Sequence, residues 1–161
     1  MPRPSKTWLT TDTHFYHYAM YREWGIRPVN FMELIVSYWK HYIAPQDKMI
    51  HLGDVIFYRH KMLKGILDSV PCTKILTMGN HDKKSKTWYS NNGFDLVVDG
   101  LTLGNVYFSH HPKEVIPSGC EYNVHGHLHD SPDRPDWYTD HHKLLSLENI
   151  GYKPVDLATF I

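Results

Sequence analysis

Residues Glu121–Asp130 read EYNVHGHLHD. Three histidines, His125, His127 and His129, stand at alternate positions, with Gly126 between the first two. On a helix, residues two apart do not face each other; only neighbours three and four apart do. In an extended segment, residues i and i+2 share a face. Glycine lets a backbone bend sharply or be approached closely. The stretch therefore predicts a strand end running into a loop, with two or three imidazoles aimed into one space. Neutral imidazoles crowd together where something positive holds them, and a metal ion is the usual holder. A surface strand of solvated histidines is the plainer alternative.

Four other stretches share this form. KTWLTTDTH runs from Lys6 into Asp12 and His14, and KMIHLGD from Lys48 into Asp54. TKILTMGNHD runs from Thr73 into Asn80, His81 and Asp82, and NVYFSHH from Asn105 into His110 and His111. Each is a short run rich in β-branched or aromatic residues and bounded by turn residues, so each reads as a strand. Helical patterns lie between them. Asn30–Ile43 carries Phe31, Leu34, Ile35, Tyr38 and Tyr42 at helical spacing, with Asn30 as the expected N-cap. His60–Val70, ending before Pro71, is a second helix, and Lys84–Gly93 a short third. One helical turn capped by Asp156 is expected in the tail. Pro and Asp cluster over Asp130–His142, which reads as an irregular loop.

Alternating strands and helices imply an α/β layered fold. Open α/β sheets bind ligands beyond the carboxyl ends of their strands, and the five polar clusters all sit there. Strands lying side by side would bring the clusters together, making the histidines of EYNVHGHLHD one wall of a composite site.

The bulk properties suit a single domain over residues 1–161. The chain is 42% hydrophobic and 14% aromatic, enough for a core without staples. Its formal net charge of +0 gives no overall basic footprint for nucleic acid. Two cysteines, Cys72 and Cys120, are too few for a disulfide framework or a thiolate zinc site. There is no apolar leader at the N-terminus and no run long enough to span a membrane, so a cytoplasmic location is expected. The anomaly is histidine, 13 residues against 17 Lys plus Arg.

The candidate donors are Asp12, His14, Asp54, Asn80, His81, His110, His127 and His129. All offer oxygen or nitrogen, a mix that suits Zn, Mn or Fe(II), with Mg a further candidate. The set is too large for one tetrahedral ion. Two divalent ions about 3.5–4 Å apart, with one bridging carboxylate, would use it well.

In this order the residues resemble the calcineurin-like metallophosphoesterases, and most closely their small single-domain bacterial and phage members. The matching stretches are DTH (Asp12–His14), GD (Gly53–Asp54), GNHD (Gly79–Asp82), SHHP (Ser109–Pro112) and GHLH (Gly126–His129). Arg27–Pro28 and the closing NIGYKPVDL fit the same group. The resemblance implies a four-layer sandwich, two mixed β-sheets flanked by helices. It implies that Asp12, His14 and His129 bind one metal, that Asn80, His110 and His127 bind the other, and that Asp54 bridges them. It further implies that a hydroxide bridging the metals attacks phosphorus in line while His81 assists the leaving oxygen. SHHP offers His110 or His111. The family pattern favours His110, and period-2 alternation puts His111 on the other face. His125 is then a supporting partner rather than a ligand. Asp82 either orients a ligand or caps the next helix, capping being the plainer reading. His17 and Arg27 are candidates for the substrate phosphate. Among the tryptophans, Trp137 is the rim candidate.

The expected function is hydrolysis of a phosphoester, most of all a phosphodiester such as a nucleotide or nucleic acid. Phosphomonoesterase and protein Ser/Thr phosphatase are the alternatives within the superfamily. The protein phosphatase pattern GDxxDRG with GNHE is not met by GDVIFYRH and GNHD. A non-catalytic metal-binding or nucleic-acid-binding module is the alternative of another class, and the intact Asn80–His81 pair speaks against it.

Overall fold

The computed structural model describes Met1 and residues 3–161. Among the described residues, nine strands form two mixed sheets flanked by helices. The first sheet contains β1 (Thr7–Thr10), β2 (Lys48–His51), β3 (Thr73–Thr77), β4 (Leu96–Val98) and β9 (Val155–Asp156). Its order is β4-β3-β2-β1-β9, parallel except for β9. The second contains β5 (Gly100–Leu103), β6 (Val106–Ser109), β7 (Tyr122–His125) and β8 (His142–Leu144). Its order is β5-β6-β7-β8, with β5 antiparallel to β6 and the other pairs parallel.

Strand alternation divides the apolar residues between two cores. Trp8, Met49 and Leu76 face the helices, whereas Leu9, Ile50 and Ile75 face the second sheet, where they meet Val106, Phe108 and Val124. The helix-side core is covered by α1 (Ala19–Arg22), α2 (Phe31–Tyr42), α3 (Leu63–Asp68) and α4 (Lys86–Asn91). Two further single turns follow, α5 (Leu147–Ile150) and α6 (Leu157–Phe160). Leu147 joins the helix-side core, and Leu157 and Phe160 pack on the inter-sheet core.

The main helix buries Phe31, Ile35 and Trp39, one residue every four. This stripe is rotated from the expected one, because Trp39 replaces Leu34 and Tyr38 as the deep contact. Asn30 stands at the N-cap, but its side chain makes no cap bond. Ser85 does cap α4, accepting from Trp88 N at 3.1 Å, and Asp156 caps α6 as expected.

All five polar-tipped strands form where expected, divided between two mixed sheets as the family resemblance implies. β1, β2 and β3 are neighbours in the first, β6 and β7 in the second. Their tips meet across the sandwich, where His110 Nδ1–H donates to Leu52 O at 2.7 Å and His127 N donates to Asp12 Oδ2 at 3.0 Å. The outer face of the second sheet carries Asn123, His125 and His142. They bond to irregular chain at Lys113 and Tyr138. Among the described residues no helix is long and apolar enough to cross a membrane.

Candidate metal centre

Three strands of the site, β1, β2 and β7, end in tight turns that the backbone makes at a cost. Asp12, His14, Asp54, His127 and His129 have φ of 45°, 45°, 58°, 68° and 50°. Side-chain-bearing residues rarely adopt this left-handed region, and such strain gathers at functional sites. Two glycines let the turns close on one another. A Cβ at Gly126 would run into Thr11 Oγ1 and Asp12 Oδ2, and one at Gly79 into Asp54.

These turns bring donor atoms into two adjoining groups. In the first, Asp12 Oδ1 lies 3.7 Å from both His14 Nε2 and His129 Nε2. In the second, His110 Nε2 lies 2.9 Å from Asn80 Oδ1 and 3.2 Å from His127 Nδ1. Asp54 Oδ2 stands between them, 3.7 Å from His14 Nε2 and 3.3 Å from His110 Nε2.

The atoms ask for cations. Asp12 Oδ1 and His14 Nε2 are buried without a hydrogen-bond partner, which is costly for polar atoms. The ring nitrogens are aimed by their far sides: Leu52 O takes His110 Nδ1–H, and Glu148 Oε1 takes His129 Nδ1–H at 3.0 Å. Metal-binding histidines are commonly oriented this way. Burial pushes the Asp12 pKa up, but His14, His110 and His129 outweigh it and hold the carboxyl well below the usual range. Burial pulls His110 down, but Asp54 and Asp12 lift it to about 9. Three overlapping groups have ligand atoms within 4.8 Å of one another: Asp12/His14/His129, Asp12/Asp54/His110 and His110/His111/His127. The donor set fits two divalent ions.

His81 stands apart from these groups. Its backbone N–H donates to Asp54 Oδ1 at 2.8 Å, while its exposed ring lies 5.8 Å from the His14 ring.

Several candidates take other positions than expected. His125 turns away from the site. It is the last residue of β7, shares the outward face with Asn123, and its Nε2 bonds Tyr138 Oη at 2.8 Å. Only His127 and His129 line the site, through left-handed turns rather than strand alternation. His111 is on the site side, its ring 4.0 Å from that of His127. Alternation fails there because β6 ends at Ser109. The Arg27 guanidinium is fully buried. It donates to Glu148 Oε1 at 2.8–2.9 Å and to the carbonyls of Asp12 and Thr13 at 2.7 and 3.1 Å, and so braces the site from behind. Asp82 caps no helix. Its carboxylate accepts from the N–H groups of Asp54, Val55 and Gly79 at 2.8–2.9 Å, clamping two strand ends together. His17 Nδ1 lies 3.2 Å from His14 Nδ1, and its ring stacks on Phe57. Trp137 packs by His142 at 5.5 Å, away from the site, whereas Trp24 lies 5.2 Å from His17.

The family profile of the calcineurin-like phosphoesterases matches residues 5–159. The chain belongs to the calcineurin-like phosphoesterase family. It is therefore a metal-dependent hydrolase of phosphoesters. This phosphoesterase is also similar in fold to a protein of unknown function from Aquifex aeolicus, at 24% identity and TM-score 0.79, covering 95% of this chain and 96% of that one. Nuclease MPE of Pseudomonas putida is a more distant fold relative, at 20% identity and TM-score 0.54, covering 76% of this chain and 61% of the nuclease. No curated protein matches the phosphoesterase sequence.

Two buried groups of the phosphoesterase escaped the sequence reading. Glu148 lies far along the chain from the residues it braces and carries no local signal. His51 sits inside KMIHLGD, where its Nδ1 accepts from Gly53 N at 3.1 Å and its Nε2 lies 2.9 Å from Thr13 Oγ1. Burial lowers its pKa to about 3, so it serves as a neutral brace.

Proposed function

We propose that this phosphoesterase is a two-metal phosphodiesterase, with Asp12, His14 and His129 on one ion, Asn80, His110 and His127 on the other, and Asp54 shared. Mn, Zn or Fe suits these donors best. The observation that carries the reading is Asp54 Oδ2, poised between both donor groups at 3.7 and 3.3 Å. Bound divalent ions supply positive charge for the phosphoryl oxygens and make water a stronger nucleophile near neutral pH. Asp54 holds both subsites in register. His81, fixed through its backbone to Asp54 and free at its ring, delivers a proton to the leaving oxygen. Histidine is the side chain most often used for such proton transfer. Arg27 bears on the choice of ester. A monoester carries close to two charges near pH 7, and Arg27 is committed to Glu148 and backbone instead of clamping them. A singly charged diester asks less of the site, and the fold relative named as a nuclease supports nucleotides or nucleic acids as substrates.

The test pairs elemental analysis with turnover. The purified protein should take up two divalent ions per chain and cleave a diester faster than the matched monoester. His81→Ala should keep both ions and lose about 10²-fold or more in kcat. Asp54→Asn should lose both ions; unchanged metal content in that variant refutes the shared position.

A further inference from the structure

An aromatic wall begins at the His81 side of the metal centre and runs outward. Phe57 lies 5.3 Å from the His81 ring and 6.5 Å from the His14 ring. It stacks flat on His17, 3.8 Å between centroids and 3° between planes. Trp24 meets His17 edge-on at 5.2 Å and is 56% exposed. Tyr58 meets Phe57 at 5.1 Å, lies nearly parallel to Tyr18, and is 53% exposed. Neither the two-metal chemistry nor the core uses the exposed rings of Trp24 and Tyr58.

We propose that Trp24, Phe57 and Tyr58 form a nucleobase-stacking subsite for the nucleoside on the leaving-group side of the scissile phosphate. The inference rests on the diesterase reading, since that reading places the leaving oxygen at His81. Three observations select a base as the occupant. The wall adjoins His81 and not the His111–His127 side. Its exposed members are flat aromatic rings, which stack any base through its π-face. Two exposed guanidiniums border it, Arg22 at 5.0 Å over Tyr18 and Arg59 at 5.7 Å over Tyr16, where the next phosphates of a strand would need counter-charge. An aliphatic ligand would use neither the ring faces nor the guanidiniums.

The test uses the metal-loaded protein and a dinucleotide with one phosphodiester, beside two analogues that lack one base or the other. Removing the leaving-side base should raise KM roughly 5- to 150-fold, the range one base–aromatic stack supplies. Removing the other base should raise it less. Trp24→Ala and Tyr58→Ala should narrow the gap. Equal KM values for all three substrates, or a gap as wide in both variants, overturn the subsite. Binding is read separately with a 2-aminopurine dinucleotide, whose fluorescence falls on stacking. The parent protein should quench it and Trp24→Ala should quench it less; equal quenching overturns the subsite as well. If no dinucleotide is cleaved, the diesterase reading fails and the leaving-group assignment with it, while the fluorescence titration still decides whether the wall stacks a base.

Discussion

At the scale of single residues, the site depends on groups that stand behind its candidate ligands. One oxygen of Glu148 accepts from His129 Nδ1–H and from two N–H groups of Arg27. Arg27 in turn holds the carbonyls of Asp12 and Thr13, where the chain turns left-handed. The pair thus fixes both the ring of one candidate ligand and the backbone of another. Burial pushes the Glu148 pKa up, but His129 and Arg27 bring it down to about 2, so it remains the anion this arrangement needs. Glu148→Gln should weaken ion binding at the Asp12–His14–His129 subsite by about 10- to 100-fold and leave the other subsite near its original affinity. Calorimetric titration with Mn should show one of two binding phases displaced. Two undisturbed phases would remove Glu148 from this role.

At the scale of elements, strand ends must approach more closely than side chains normally permit. The turn after β7 sits against the turn after β1, with Gly126 over Thr11 and Asp12. Gly126→Ala should push these turns apart, because the obstructing atoms are themselves held in hydrogen bonds. The expected result is a folded protein with a native circular dichroism spectrum that has lost both metal and activity. A second joint, Asp47, ties the chain before β1 to the end of α2. Its carboxylate accepts from Arg3, the Lys6 and Ala44 amides and the Trp8 indole. Burial raises its pKa, but these donors outweigh that and hold it below the ordinary 3.8. A depressed carboxyl pKa contributes stability that is complete above about pH 4 and lost as pH falls below it. Asp47→Asn should therefore cost about 1–3 kcal/mol near pH 7, and the deficit should shrink toward pH 3. Urea unfolding at both pH values measures it; a deficit that grows in acid would contradict the assignment.

At the scale of the whole molecule, the centre ties the two sheets together. Its donors come from the ends of β1, β2 and β3 on one side and of β6 and β7 on the other. Ions that bind this folded arrangement and not the unfolded chain should raise its stability. At a hundred times the dissociation constant the gain is about 2.7 kcal/mol per site, or roughly 5–10 °C in Tm for a chain of this size. Differential scanning calorimetry with Mn and with a chelator should show this rise, and an unchanged Tm would mean that the ions do not bridge the sheets.

The sequence alone determined the elements and the donor chemistry. Short β-branched runs ending in Asp, Asn and His marked the five strands that build the site, since side-chain periodicity and turn chemistry are local properties. The same local rule misplaced His111 and His125. Alternation applies only while a strand continues; beyond Ser109 the side chains are aimed by contacts from elsewhere, such as Leu52 O on His110, and beyond His125 by left-handed turns at His127 and His129. The division of five strands between two sheets, the Glu148–Arg27 brace across 121 positions, and the placing of Trp24 rather than Trp137 beside the site were decided by tertiary structure. Each depends on partners distant in the chain, and a periodic pattern carries no record of what it will meet after folding.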